Sequence, residues 1–336
     1  MPAQTHPLEN AKLIIQIPCY NEEKSLPVTL NALPRHIEGV GKVEWLVIDD
    51  GSTDKTMQVA QANGVDHIVR LKKNQGLSSA FLAGLEACLD NGADIIVNTD
   101  ADNQYNADDI PKLIQPIIDG EADIVVGARP ISQIEHFSIF KKVLQKMGSW
   151  VVKLASSTDI PDAPSGFRAF SRDAALRFNV FNNYTYTLET IIQAGQKKMH
   201  ISWVPVRINQ ELRPSRLLKN IPSYLKKSVS TIVRIFVVYK PFRFFMSIGR
   251  AIFSCGIVGG IRFLYYYLVG NGDGHIQSLI LVSILLGIGF QTMMAAFLAD
   301  LLGVNRRLME DIQHRIRLNS YANEHDSNRK ASSGSR

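Results

Sequence analysis

The stretch ADIIVNTDADNQ, residues 93–104, places two acids directly after a short apolar run. The run at Asp94–Asn98 predicts a buried strand, and Asp100 and Asp102 follow it. In an extended chain positions i and i+2 point to the same side, so both carboxylates face one spot. Close carboxylates repel unless a cation lies between them, and oxygen ligands suit Mg²⁺ or Mn²⁺, with a diphosphate as a further ligand. The tripeptide also arises by chance, but its place at a strand end favours a divalent-cation site.

Short apolar runs alternate with helical patterns around this stretch. Such alternation predicts a mostly parallel α/β sheet, in which ligands bind at the carboxyl ends of the strands. The predicted strands are Leu13–Ile17, Trp45–Ile48, His67–Arg70, Asp94–Asn98, Asp123–Val126 and Ile201–Val204, and the predicted helices include Thr53–Asn63, Leu77–Asn91, Phe137–Ser156 and Leu188–Ala194.

Polar residues follow other predicted strands as well. Asp49 and Asp50 end the second strand, where a carboxylate either accepts hydrogen bonds from a nucleoside or caps the next helix. Ser52 or Thr53 is a further candidate for that cap. The loop at residues 72–76 precedes a helix and is either an anion site or an ordinary solvated loop. Arg129 adds a cation after the fifth strand.

The order of six blocks carries a resemblance to a known family. The blocks are IPCYNEE at 17–23, DDGSTD at 49–54, KKNQG at 72–76, DADNQ at 100–104, GAR at 127–129 and DAPSGFRAFSR at 162–172. Over residues of about 12–217 the chain resembles glycosyltransferase family 2. Within that family it is similar to the membrane-anchored dolichyl- or polyprenyl-phosphate hexose (mannose or glucose) synthases. The resemblance implies a GT-A fold, a Rossmann-like domain that binds nucleotide-diphospho-sugars.

The resemblance also implies roles for individual residues. It places Asp162, Glu189 and Arg168 at or near the reacting centre. Glu189 has an alternative role, because an acid in a first helical turn also stabilises the helix dipole. The resemblance implies a cation site at Asp100, Asp102 and Gln104, and a donor site at Pro18, Tyr20, Glu22, Asp49, Asp50, Lys73, Asn74, Gly76, Asp100, Arg129 and Ser165.

The acceptor site departs from the family pattern. Many relatives carry Gly-x-Ser-Lys after the last strand, whereas here Arg213, Ser215 and Arg216 occupy that stretch. A basic acceptor-phosphate site is therefore carried over only loosely. The implied reaction is inverting transfer of a hexose from GDP-mannose or a UDP-hexose to polyprenyl phosphate. Alternatives are a different membrane acceptor, such as a glycolipid or glycan, or a tethered protein that binds nucleotide-sugars without turnover.

The C-terminal part predicts a membrane anchor. Gln277–Ala299 is a run of 23 residues without a charge, long enough to cross a hydrocarbon layer of about 30 Å. A first apolar segment, Ala251–Val269, is interrupted by Arg262. Between Arg207 and Arg250 there are ten Lys or Arg and one acid, which favours an anionic membrane surface over nucleic acid.

These patterns predict four regions. They are a GT-A domain at 1–217, an amphipathic interfacial helix at 218–240, two transmembrane helices at 241–304, and a basic segment with a disordered tail at 305–336. Three cysteines without a CxxC pair, and no secretory signal at the N-terminus, favour a cytoplasmic catalytic domain on a multi-pass protein of the cell (inner) membrane. A homo-oligomer is a further possibility.

Overall fold

The computed structural model describes residues 11–130, 160–178, 186–210, 237–270 and 276–333, together with residues 230, 233 and 234. The chain divides into two compact units. One contains Met1–Tyr224 and His314–Arg336, and the other contains Leu225–Gln313. The predicted helix at Phe137–Ser156 and most of the predicted interfacial helix lie outside the described residues.

The first unit is an α/β domain built on one sheet of seven strands. In chain order its elements are β1 Lys12–Cys19, α1 Leu26–Ala32, β2 Lys42–Asp49, α2 Thr56–Ala62, β3 His67–Arg70, α3 Leu77–Asp90, β4 Ile95–Asn98, α4 Ile110–Ile118, β5 Ile124–Ala128, β6 Arg168–Ser171, α5 Arg172–Arg177, α6 Thr187–Gln196 and β7 Ile201–Pro205. The strand order is β3-β2-β1-β4-β6-β5-β7.

The predicted parallel sheet is confirmed, with one exception. Strand β6 runs antiparallel to both β4 and β5, and the sequence analysis did not predict it. Because β6 is reversed, the segment that leads into it arrives at the carboxyl ends of β4 and β5. The DAPSGF stretch at 162–167 therefore meets the residues that follow those two strands.

Both faces of the sheet are covered, so its strands are almost wholly apolar. Alternate residues of β1 serve the two cores. Leu13 and Ile15 pack in a cluster with residues of α1 and α4. Ile14 packs in a second cluster with Phe81 and Leu85 of α3. The polar residues after each strand are thereby confined to the edge of a rigid three-layer domain.

The second unit contains an antiparallel helical hairpin, formed by α7 Pro241–Leu268 and by α8, which begins at Ile276. Glycines bring the two helices close. A Cβ on Gly249 would lie 2.7 Å from Met293, and a Cβ on Gly256 would lie 2.9 Å from Leu286. Both helices are long and apolar enough to cross a membrane by length and composition.

Helix α8 is longer than the sequence predicts. It continues to Ser333, whereas the sequence predicts a disordered tail from Ser320. Residues 304–333 contain no Pro or Gly that would end a helix, and Gly334 follows directly.

Candidate active site

The loop after β2 is bound to the loop that precedes α3. Both carboxylate oxygens of Asp50 accept backbone N–H groups, from Gln75 at 2.7 Å and from Gly76 at 2.9 Å. Gly51 has a φ of 71°, and a Cβ there would lie 2.6 Å from the carbonyl carbon of Lys73. Position 51 therefore requires glycine for its backbone conformation and for the close approach of the second loop. Lys73 and Asn74 at the tip are exposed and offer a cation and an amide to an anionic ligand.

The loop after β1 joins this assembly from the other side. The backbone N–H of Asn21 donates to Ser52 Oγ at 2.9 Å, and that of Thr53 donates to Asn21 Oδ1 at 2.8 Å. The Glu22 carboxylate is buried and accepts the Ser25 hydroxyl. Tyr20, beside them, is 40% exposed. Three loops are thus joined along one half of the sheet edge, where Tyr20, Lys73 and Asn74 remain open to a ligand.

Two acids and an amide follow β4 on the other half of the edge. Asp100 lies against the SGF turn, because a Cβ on Gly166 would be 3.1 Å from Asp100 Oδ2 and 3.2 Å from Oδ1. Asp102 Oδ1 accepts the Gln104 N–H at 3.4 Å, and Asn103 between them has a left-handed φ of 56°. Asp100, Asp102 and Gln104 are all partly exposed.

This donor set fits a hard divalent cation that shares its shell with a ligand. Asp100, Asp102 and Gln104 offer only oxygen atoms, which suits Mg²⁺ or Mn²⁺ rather than zinc. Within the part of the chain that the structure describes, no three His, Cys, Asp or Glu residues converge on one point. A cation bound by these three residues would need further ligands, such as phosphate oxygens and water.

An ion pair joins the end of β5 to the segment before β6. Arg129 Nε donates to Asp162 Oδ2 at 2.7 Å, and its Nη2 donates to Oδ1 at 3.0 Å. Asp162 is fully buried, and the Arg129 side chain is 17% exposed. Burial by itself lowers the pKa of Arg129, but negative groups around it, Asp162 and Asp100 among them, outweigh burial and raise that pKa. A permanent cation is thereby fixed near Asp100.

Comparison with known proteins decides the family. A model of glycosyl transferase family 2 matches residues 14–177. The UDP-N-acetylglucosamine–dolichyl-phosphate N-acetylglucosaminyltransferase of Methanococcus voltae is 31% identical in an alignment of 212 positions, and the match covers 57% of this chain and 83% of that relative. The chain belongs to glycosyltransferase family 2. The resemblance seen in its sequence blocks is confirmed, and the protein is a glycosyltransferase.

This family 2 member is also similar to a second sequence relative and to a solved structure. The undecaprenyl-phosphate mannosyltransferase of Micrococcus luteus is 26% identical over 217 residues, covering 61% of this chain and 87% of that relative. Glucosyl-3-phosphoglycerate synthase from Mycobacterium tuberculosis, solved with Mn²⁺, UDP and glucosyl-3-phosphoglycerate, aligns with a TM-score of 0.53 at 18% identity, over 68% of this chain and 79% of that one. The second likeness shows the GT-A fold alone.

Arg168, which the resemblance places at or near the reacting centre, is fully buried. Its guanidinium donates to backbone carbonyls of Ser165 and Thr187, each at 2.7 Å, and to Thr190 Oγ1 at 2.7 Å. Burial lowers its pKa only to about 10, so it stays charged at neutral pH. In this structure Arg168 joins the SGF turn to the start of α6 and presents no surface to a ligand.

The alternative in which the acids at the end of β2 cap the next helix is wrong. Asp49 is buried; its Oδ1 accepts the Ser52 N–H at 2.9 Å, and its Oδ2 lies 3.4 Å from Arg70 Nε. Helix α2 begins at Thr56 after Lys55 and has no side-chain cap. Neither acid caps α2, and neither do Ser52 or Thr53. The acids shape the loops on which a nucleotide would lie.

Three other predicted donor or catalytic residues are enclosed. Pro18 is buried in β1 and Ser165 is fully buried, so neither side chain reaches a ligand in this structure. Glu189 lies in the first turn of α6 and is 7% exposed, a position that allows both roles considered for it. The predicted acceptor residues Arg213, Ser215 and Arg216 lie outside the described residues.

A buried polar network behind Asp100 was not predicted. Asn98 Nδ2 donates to the Gly166 carbonyl and to the Tyr186 hydroxyl, each at 2.9 Å. The Tyr105 hydroxyl accepts the Gly166 N–H at 3.1 Å. These groups hold Gly166 against Asp100. An asparagine at the last position of an apolar strand was the available signal, because a buried amide needs partners.

Proposed function

We propose that this glycosyltransferase moves a hexose from a nucleotide-diphospho-sugar to a polyprenyl phosphate at a membrane surface, with inversion at the sugar. The observation that carries the proposal is the placement of the Arg129–Asp162 pair beside Asp100 at the carboxyl edge of the sheet. A sugar diphosphate requires positive charge. A fixed arginine supplies it directly, and acids supply it by holding a divalent cation. The names of the Methanococcus and Micrococcus relatives support the choice of acceptor.

A divalent cation, Mg²⁺ or Mn²⁺, belongs to this proposal. Asp100, Asp102 and Gln104 would hold it, since these partly exposed residues bring oxygen groups to the end of β4. When bound, such a cation neutralises charge on the departing diphosphate.

The protein's own groups then position and stabilise charge. Arg129 keeps its charge at every accessible pH and is held by Asp162, so it offers a fixed positive group to phosphate oxygens. The loops fixed by Asp50 and Gly51 would offer Lys73 and Asn74 to the bound nucleotide. A strong general base is unnecessary, because a phosphate monoester with a second pKa of about 6 is already mostly ionised at neutral pH. Catalysis by positioning and charge stabilisation follows.

The acceptor explains the C-terminal hairpin. A polyprenyl chain stays in the bilayer, so the site that uses its phosphate has to work at the membrane surface. Helices α7 and α8 are long enough to anchor the chain there. Basic residues flank both outer ends of the hairpin, which favours a cytoplasmic location for these ends; they are Lys240, Arg243 and Arg250 at the start of α7, and Arg306 and Arg307 after the apolar part of α8. The cell membrane as location, GDP-mannose or a UDP-hexose as donor, and a homo-oligomer stay predictions.

The test is a donor and acceptor screen. Membranes from cells that express the protein are incubated with labelled GDP-mannose, UDP-glucose or UDP-N-acetylglucosamine, with and without added polyprenyl phosphate. We expect one donor to give label that enters organic solvent and that increases with the added lipid. Label that depends on added diacylglycerol instead would replace the acceptor. No extractable label with any donor, from membranes that contain folded protein, would contradict transfer to a lipid.

A further inference from the structure

The segment after β7 binds the loop that carries Asp102 and Gln104. Ile208 forms an isolated antiparallel bridge with Tyr105, and the Asn106 N–H donates to the Arg207 carbonyl at 3.2 Å. The residues at 206–209 therefore lie as a strap along the loop at 103–109.

Asn209 makes the densest set of these contacts. Its side-chain Nδ2 donates to the Asn103 carbonyl at 3.0 Å and to the Tyr105 carbonyl at 3.1 Å. The same Nδ2 lies 3.4 Å from Asn103 Oδ1, and the backbone N–H of Asn209 donates to the Gln104 carbonyl at 2.8 Å. One residue thus satisfies three consecutive carbonyls, those of residues 103, 104 and 105.

These contacts fix the backbone on both sides of a left-handed residue. Asn103 has a φ of 56°, in the left-handed region that asparagine adopts more readily than other residues with a side chain. This residue lies between Asp102 and Gln104, so its backbone sets the direction in which both side chains leave the loop. A loop free to relax at Asn103 would separate the two oxygen groups.

We propose that Asn209 is a positioning residue, which fixes residues 103–105 so that Asp102 and Gln104 are held in place for a divalent cation. The inference rests on the proposed function, because it concerns the same cation. Asn209 touches neither donor nor cation in this account. Its amide acts through the backbone of the loop, much as partners of metal ligands do in other proteins.

The chemistry of the amide is specific. All three contacts of Nδ2 are to oxygen atoms that accept, two of them backbone carbonyls and one the Asn103 side-chain oxygen, so position 209 needs an N–H donor. Asn209→Ala removes the donor, and Asn209→Asp puts a carboxylate oxygen against two carbonyl oxygens. The strap survives in both variants, because the Arg207 guanidinium and backbone N–H bind the Asp109 carboxylate independently, at 3.0 and 2.7 Å.

A matched control comes from Asn91 at the end of α3. Its Nδ2 also donates to a backbone carbonyl, that of Ala87 at 2.7 Å, but it lies at the end of α3 away from the cation loop. Asn91→Asp therefore repeats the change of Asn209→Asp without touching the proposed site.

The experiment measures Mn²⁺ binding directly. Full-length protein in lipid nanodiscs is titrated with Mn²⁺ in the presence of UDP or GDP, and free Mn²⁺ is followed by electron paramagnetic resonance. We expect Asn209→Ala and Asn209→Asp to weaken Mn²⁺ binding by about ten-fold or more, the range for loss of a partner that orients a metal ligand. Asn91→Asp should bind Mn²⁺ as tightly as the wild type does. The melting temperatures of Asn209→Asp and Asn91→Asp should be similar to each other.

The possible outcomes separate the positioning role of Asn209 from the divalent cation in the proposed function. Mn²⁺ affinity of both Asn209 variants equal to that of the wild type would overturn the positioning role and leave the proposed function intact. If Asn209→Asp does not fold, Asn209→Ala decides the same question. A wild-type protein that retains no Mn²⁺ with either nucleotide would instead contradict the cation in the proposed function.

Discussion

Arg129, directly after β5, and Asp162, in the segment before the reversed strand β6, form an ion pair with two contacts, Nε–Oδ2 at 2.7 Å and Nη2–Oδ1 at 3.0 Å. The Arg129 backbone N–H adds a third contact to Oδ2 at 3.2 Å. The resemblance places Asp162 near the reacting centre. Both of its carboxylate oxygens accept hydrogen bonds from Arg129, and we propose that Asp162 acts mainly by holding that guanidinium in place.

A double-mutant cycle tests this relationship. Asp162→Asn and Arg129→Gln should each lower kcat/KM by at least about ten-fold. Because the two residues act as one unit, the double variant should be little worse than either single variant, which corresponds to a coupling energy of about 1 kcal/mol or more. Steady-state kinetics of the four proteins supply the numbers. Additive losses would show that Asp162 acts independently of Arg129, for example as a base.

Gly51 gives a second prediction, on the nucleotide side of the edge. Gly51→Ala would place a Cβ 2.6 Å from the Lys73 carbonyl carbon, so the loop at 72–76 must move. We expect KM for the donor to rise about ten-fold, together with a loss of stability of about 1–3 kcal/mol.

Gly39→Ala is the matched control. Gly39 has a similar φ of 80°, but nothing lies within 4 Å of a Cβ there. It should lose stability from backbone strain and keep its donor KM. Equal changes of KM in both variants would show that strain, and not the contact between the two loops, governs the effect.

The strand-end residues show what the sequence can predict. Apolar runs followed by polar or charged residues identified β1, β2, β4 and β5 and the correct edge of the sheet, because buried parallel strands leave polar residues mainly at their ends. The burial of Arg168 could not be predicted, since a charged residue in a motif gives no sign of whether carbonyl groups surround it. Its four donated hydrogen bonds go to two separate segments, the turn at 163–165 and the start of α6 at 187–190, that only the fold brings together.

Strand β6 and the end of α8 were missed for different reasons. The residues before β6 are rich in turn formers, which concealed a four-residue antiparallel strand at Arg168–Ser171. The polar composition after Ser320 predicted disorder, yet the helix continues to Ser333. Arg317, just before this stretch, contacts residues of the α/β domain, with Nη2 at 3.1 Å from Glu86 Oε1 and Nη1 at 3.1 Å from the Phe178 carbonyl. Contacts between segments so far apart in the chain leave no local sequence pattern.

The ionisation of Glu44 makes the free energy of unfolding of the domain depend on pH in the acid range. It is buried, and its carboxylate contacts Lys12 at 2.7 Å, Lys42 at 2.6 Å and His67 at 2.7 Å. Burial raises the pKa of Glu44, but these hydrogen bonds outweigh it and lower the pKa to about 2. Because the folded-state pKa lies below that of the unfolded chain, the stabilisation is complete above about pH 4.5 and is lost as the pH falls towards 2.

Glu44→Gln isolates this contribution. Relative to the wild type it should lose on the order of 2 kcal/mol of unfolding free energy at neutral pH, and this difference should shrink between about pH 4.5 and 2. Urea denaturation at a series of pH values measures it. A difference that stays constant down to pH 2 would show that Glu44 is not ionised in the folded protein.

Glu189→Gln distinguishes the two roles of that acid. A sugar-contact role predicts an unchanged melting temperature and a fall in kcat/KM of about ten-fold or more, with unchanged binding of the free nucleotide. A dipole role predicts a small loss of stability and normal kinetics. Asp173→Asn is the control, because Asp173 is the acid in the first turn of α5. A loss of nucleotide affinity in Glu189→Gln would move this residue to the nucleotide site.

The central claim is cation-dependent transfer to a lipid phosphate, and one measurement on purified protein tests it. The product formed from the active donor is identified by mass spectrometry with polyprenyl phosphate or with the same polyprenol lacking phosphate, for the wild type, Asp100→Asn, Asp102→Asn and Asp108→Asn. Asp108, whose side chain is 78% exposed, serves as control near the same loop. The account predicts a polyprenyl-phosphate sugar from the wild type and Asp108→Asn, its loss in Asp100→Asn, Asp102→Asn and EDTA, and no product from polyprenol. Equal product from both lipids, or full activity of Asp100→Asn and Asp102→Asn in EDTA, would contradict it.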